Sequence, residues 1–98
     1  MKIIWSPLAQ HKLNEIADYI AQDKPGAALN WAESVLDQVE NLALFPNSGR
    51  PVPELDNDQY KELIIDHYRV IYKILDKEIH ILTIRNFKQL LSEKDLSS

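Results

Sequence analysis

The last third of the chain holds three runs of β-branched, aromatic and aliphatic residues separated by only two or three positions, and this spacing constrains the fold more than any other feature. The runs cover residues 60–65, 68–75 and 79–85. Tyr68, Val70, Tyr72 and Ile74 share one face of the second run, and Ile79, Ile81 and Thr83 share one face of the third. Asp66-His67 and Asp76-Lys77-Glu78 read as the turns. Connections this short permit only an antiparallel meander, because a parallel pair needs a crossover of about a dozen residues or more.

The first half follows a different period. Met1 to Trp5 reads as a short strand, after which Ser6-Pro7 supplies a helix cap and a proline at the first helical position. Ala9, Leu13, Ile16, Ala17 and Ile20 then recur at helical steps, opposite Gln10, Asn14, Glu15 and Asp18. Asp23 is the expected cap of a second helix that starts around Pro25 and carries Ala28, Trp31, Ala32, Val35, Val39 and Leu42 on one stripe as far as Leu44. Two helices joined by so tight a turn lie antiparallel. From Pro46 to Asp58 the prolines, Gly49 and asparagines predict a long loop, and Phe87, Leu90, Leu91 and Leu96 predict a last short helix or tail fraying at Ser97-Ser98. The expected fold is α+β in the order β-α-α-β-β-β: an N-terminal strand and an antiparallel helical hairpin packed on one face of a small antiparallel sheet, the other face open.

Composition narrows the function classes. At 98 residues the chain has room for one domain, 1–98. It has no cysteine, so disulfides, thiolate metal sites and cysteine nucleophiles are excluded. Three separated histidines lack metal-ligand spacing, and no pattern suggests a nucleotide or organic cofactor. No apolar run is long enough to cross a bilayer and no export signal is recognisable, so the expectation is a cytoplasmic protein. Eleven basic against fifteen acidic residues give a net charge of −4, which weighs against sequence-specific DNA binding by this chain alone. The C-terminal part is nonetheless locally basic: Arg69, Lys73, Lys77, Arg85 and Lys88 face only Asp76 and Glu78 in the same stretch.

Several strings, in order, resemble the RelE/ParE superfamily of type II toxin–antitoxin toxins, its ParE branch above all: Trp5-Ser6-Pro7 with Ala9, Ala28 to Trp31, Leu44-Phe45-Pro46 leading to Gly49-Arg50-Pro51, Tyr68 to Tyr72, and Ile81 to Arg85. The resemblance spans nearly the whole chain. It implies a growth-inhibiting toxin neutralised by a cognate antitoxin whose C-terminal segment wraps it. The implied target is DNA gyrase in the ParE branch and ribosome-bound mRNA in the RelE branch.

The residues discriminate between these branches. Cutting RNA at the 2′-hydroxyl needs a base, a cation for the phosphorane and an acid for the leaving oxygen. Arg69 and Arg85 match the arginines of RelE-like nucleases. The residues that follow, Asn86-Phe87-Lys88, include an amide and a phenyl that exchange no protons, and lysine is a poor acid at its ordinary pKa. Asn86 stands where ParE-like chains often have histidine, and Lys61 where they commonly have arginine. The leading expectation is therefore a ParE-like toxin that binds gyrase without catalytic residues, its partner surface drawn from Arg50, Lys61, Arg69, Lys73, Arg85, Phe87, Lys88, Leu90 and Leu91. The alternatives are an mRNA endonuclease using Arg69, Arg85 and Lys88 or His80, and a non-toxic antitoxin-binding module.

Whether Arg69 and Arg85 share a face depends on register. A three-residue turn pairs Leu75 with Ile79 and sets 69 opposite 85; a two-residue turn pairs Leu75 with Glu78 and sends them to opposite faces. Either arginine can instead be satisfied by Glu62 or Asp66 on the neighbouring strand. His11 and His67 read as surface residues and His80 as a strand residue without a triad. Tyr68, Tyr72, Trp5 and Trp31 read as core.

Overall fold

The computed structural model describes residues 1–97; the expectation for Ser98 lies outside them. Its elements are β1 (Lys2–Trp5), α1 (Pro7–Ala21), α2 (Pro25–Asn41), β2 (Arg50–Pro51), β3 (Tyr60–Ile65), β4 (Tyr68–Leu75), β5 (Glu78–Asn86) and α3 (Glu93–Leu96). The α+β class and the helical hairpin match the expectation. The second helix is capped by Lys24, which makes no side-chain bond, and not by Asp23. Pro25 fixes the first helical position and so makes its predecessor the cap, while the Asp23 amide still donates to Ile20 O in the turn that closes α1.

The sheet runs β1-β5-β4-β3-β2. The pairs β3/β4 and β4/β5 form the expected antiparallel meander, and Arg50-Pro51 in the long loop adds a two-residue strand beside β3. The sheet is mixed, not wholly antiparallel, because β1 lies parallel to β5, from Lys2 opposite Glu78 to Trp5 opposite Ile81. Two helices and three strands intervene between those partners, which supplies the crossover a parallel pair requires. The helices bury Ala9, Ile16, Trp31, Val35, Val39 and Leu42 against Ile65, Val70, Tyr72, Ile79, Ile81 and Ile84.

The register contains a feature that turn length alone does not predict. Leu75 pairs with Glu78 across a two-residue turn, yet Arg69 pairs with Arg85. Between them the ladder passes from Tyr72↔Ile81 to Ile71↔Thr83, leaving Leu82 unpaired as a β-bulge. The bulge puts Leu82 and Thr83 on the face opposite the helices and returns Ile84 to the helical side. Thr83 therefore does not share a face with Ile79 and Ile81, as simple alternation had it; Ile84 takes that place.

Ser6 anchors this bulge. Its Oγ accepts the Ala9 amide at 3.0 Å, as an N-cap does, and donates to the carbonyl of Leu82 at 2.8 Å. One 7%-exposed hydroxyl thus caps α1 and satisfies the carbonyl of the unpaired residue. Ser6→Ala removes both bonds and is expected to cost about 2 kcal/mol. A lower urea midpoint at unchanged slope is the readout, and an unmoved midpoint would show that the two bonds carry nothing.

The second sheet face is not open. Val52, Ile71 and Leu82 are buried there beneath Leu55, Tyr60, Leu91 and Leu96, so the loop after β2 and the C-terminal segment form a small second core. The reason is compositional: the bulge places Leu82 beside Ile71 on that face, and apolar side chains in adjacent strands recruit a cover.

Candidate functional site

Beside this second core lies a charged cluster built on four strands, β2 to β5. Arg69 and Arg85 are direct cross-strand neighbours, an arrangement that is unfavourable unless each charge is neutralised. Arg69 is 3% exposed and both its terminal nitrogens find acceptors within the chain. Nη1 donates to Glu62 Oε1 at 3.1 Å and to Glu54 Oε1 at 2.8 Å, while Nη2 donates to the second Glu54 oxygen and to the carbonyl of Gln89. The fork grips Glu54 with both terminal nitrogens. Of the two neighbouring carboxylates weighed for Arg69, the structure selects Glu62; the second partner, Glu54, comes from the loop after β2. Arg50, opposite Glu62 on β2, donates Nε to the other Glu62 oxygen at 2.7 Å. Glu62 itself is 1% exposed and takes one guanidinium on each oxygen.

Arg85 is held by the tail. Its Nη1 lies 3.6 Å from Asp95 Oδ1 and its Nη2 donates to the Leu90 carbonyl at 3.2 Å. Asp95 is 2% exposed; it also accepts from Thr83 Oγ1 and from the amide and hydroxyl of Ser92, closing a capping box at the start of α3. Arg50, Arg69 and Arg85 thus balance Glu54, Glu62 and Asp95.

The remaining predicted residues are scattered. Lys73 sits on the second face with its ammonium 5.3 Å from the Tyr60 ring centroid, and Lys61 lies opposite Tyr72 on the helical side. Lys88 is exposed, its ammonium 5.9 Å from the Phe87 ring. Phe87 and Leu90 are exposed, whereas Leu91 packs on the second core. His80 Nε2 lies 3.1 Å from Glu78 Oε1. Among the described residues no group of histidines and carboxylates could hold a metal ion, and no helix is long and apolar enough to cross a membrane.

Glu54 and Asp95 were missed as members of this network. The string Ser92-Glu93-Lys94-Asp95 carries a capping-box signal that marks Asp95. Nothing local marks Glu54, whose arginine is fifteen positions away.

The Arg69 guanidinium bonded to Glu54, aided by the Leu91 amide, holds this carboxyl at about 2 against an ordinary value of 4.5, burial opposing them. The folded-state value is depressed, so the carboxylate contributes stability that is fully present above about pH 4.5 and is lost as pH falls towards 2. The Leu91 amide, which donates to Glu54 at 3.1 Å, reports this directly. Its proton resonance is expected to titrate with a midpoint near 2; a midpoint near 4.5 would mean that Glu54 is unpaired in solution.

Residues 3–91 match the family described as the ParE toxin of type II toxin-antitoxin system, parDE. A relative from Sinorhizobium fredii (strain NBRC 101917 / NGR234), named "Putative toxin Y4kP", is 32% identical over 88 residues, 90% of this chain and 90% of its own. Among solved structures, a chain of the chromosomal ParDE TA system from P. aeruginosa is similar with a TM-score of 0.74 and 25% identity, covering 88% of this chain and 95% of that one.

Proposed function

Since this chain belongs to the family of ParE toxins of type II toxin–antitoxin systems, we propose that it arrests growth in the cytoplasm by binding DNA gyrase, without bond-making chemistry of its own, and that a cognate antitoxin neutralises it. One observation carries the non-enzymatic reading: Arg69 is held by the carboxylates of Glu54 and Glu62. A ribonuclease needs such a cation free for the phosphorane and a proton carrier beside it. The positions after Arg85 are Asn86, Phe87 and Lys88.

An open sheet edge supports a seat for the antitoxin on β1. β1 ends the sheet, so the outer backbone groups of Lys2–Trp5 face no strand among the described residues. Beside it lies a groove lined by Ile3, Trp5, Leu36, Val39 and Glu40. An extended peptide adds to such an edge through main-chain bonds while its apolar side chains enter the groove.

Expression of the chain alone in a bacterial host is the test. Growth is expected to stop, and to resume when the antitoxin is supplied with it. Harmless accumulation of folded protein would contradict the toxin reading.

A further inference from the structure

We infer that the second sheet face is a binding site for an acidic peptide, centred on Arg69 and Arg85, and that residues 87–97 are a displaceable strap occupying it. The strap binds as a peptide ligand would. Two of its carbonyls, Gln89 and Leu90, accept from Arg69 and Arg85, and one carboxylate, Asp95, faces Arg85. The Leu91 amide returns a bond to Glu54 at 3.1 Å.

The strap has few apolar attachments. Leu91 and Leu96 reach the second core, whereas Phe87 and Leu90, its other large apolar side chains, are 45% and 76% exposed. Its only helix, Glu93–Leu96, has four residues and lacks independent stability. A segment held mainly by polar bonds opens before the sheet beneath it. The closed form also leaves the buried Nε atoms of Arg69 and Arg85 without an acceptor. A carboxylate approaching side-on takes Nε and Nη together, so an acidic ligand answers a donor that the strap leaves unused.

The chemistry selects a peptide over a nucleic acid. The arginines are met by two backbone carbonyls and a carboxylate, a combination that a peptide carries and a nucleic acid does not. A protein partner is meant, and to that extent the inference rests on the toxin reading. Its test measures exchange and binding, not growth, so the two fail separately.

The experiment compares full-length wild-type chain with Asp95→Asn by amide hydrogen exchange, followed by titration with a hexaglutamate peptide at low salt. Asp95→Asn is expected to speed exchange of residues 87–97 at least tenfold while the Val70–Ile74 amides stay unchanged. The peptide is expected to bind at least tenfold more tightly than to wild type, because the open state is more populated. Adding Arg85→Ala is expected to abolish that gain. Unaltered strap exchange, faster exchange with no gain in binding, a gain that survives Arg85→Ala, or displacement of the peptide by a single-stranded oligonucleotide of equal charge would each overturn the inference. If Asp95→Asn does not fold, wild type serves: raising salt from 0.05 to 0.5 M is expected to accelerate strap exchange selectively, and uniform behaviour would refute it.

Discussion

Replacing Arg69 by alanine is expected to destabilise the fold by about 3–5 kcal/mol, the cost of leaving a buried charge without its partner. Glu62, 1% exposed, keeps only Arg50, whose own side chain is 59% exposed. Glu54 keeps only the Leu91 amide, and the Gln89 carbonyl loses its donor. For a domain of this size the loss corresponds to a fall in Tm on the order of 15–30 °C. The magnitude reports a broken network, not the net worth of the ion pairs. The double substitution Arg69→Met with Glu62→Leu is therefore expected to recover much of the loss, since a buried pair exchanged for apolar groups of similar volume is often neutral or stabilising. Thermal unfolding of the two variants separates these cases. Equal destabilisation by both would show that Arg69 matters for its packing, not its charge.

Gly49→Ala is expected to cost about 2–4 kcal/mol through overpacking and a lost hydrogen bond. A Cβ at this position meets the Tyr72 hydroxyl at 2.5 Å and the backbone carbonyl of Glu62 at 2.8 Å, and the latter cannot swing aside. Tyr72 is fully buried, and its hydroxyl accepts the Gly49 amide at 3.0 Å and donates to the Pro46 carbonyl at 2.8 Å. The phenol thus pins the loop that delivers Arg50 to Glu62. Tyr72→Phe removes the bonds without the clash, so it is expected to cost less than Gly49→Ala in denaturant titration. The reverse order would place the cost in the hydrogen bonds alone.

Local signals carried the fold far and the site only part of the way. Ser6-Pro7 marks the start of α1 because capping chemistry is local, and the short turns set the meander because chain length forbids anything else. The pairing of β1 with β5 is a choice of partner across more than seventy positions, and no local pattern encodes it. The bulge at Leu82 has no glycine to announce it. It is legible only in the folded state, where Ser6 reaches the Leu82 carbonyl. That single extra residue explains why a two-residue turn still brings Arg69 opposite Arg85. The cover over the second face escaped for a similar reason, since Leu91 and Leu96 are too sparse to read as an amphipathic element until Ile71 and Leu82 are known to lie side by side.

The charged cluster changes what the arginines mean. Read along the chain, Arg69 and Arg85 look like two cations awaiting a phosphate. Folded, they bind the long loop and the C-terminal strap to the sheet, and their two charges are answered by Glu54, Glu62 and Asp95.

The most direct measurement places purified chain in two parallel reactions: gyrase with relaxed plasmid, and translating ribosomes with a labelled message. Inhibition by occupancy predicts that supercoiling falls as chain approaches the concentration of gyrase while the message stays intact. Multiple cuts in the message per molecule of chain, with supercoiling undiminished at saturating chain, would contradict it.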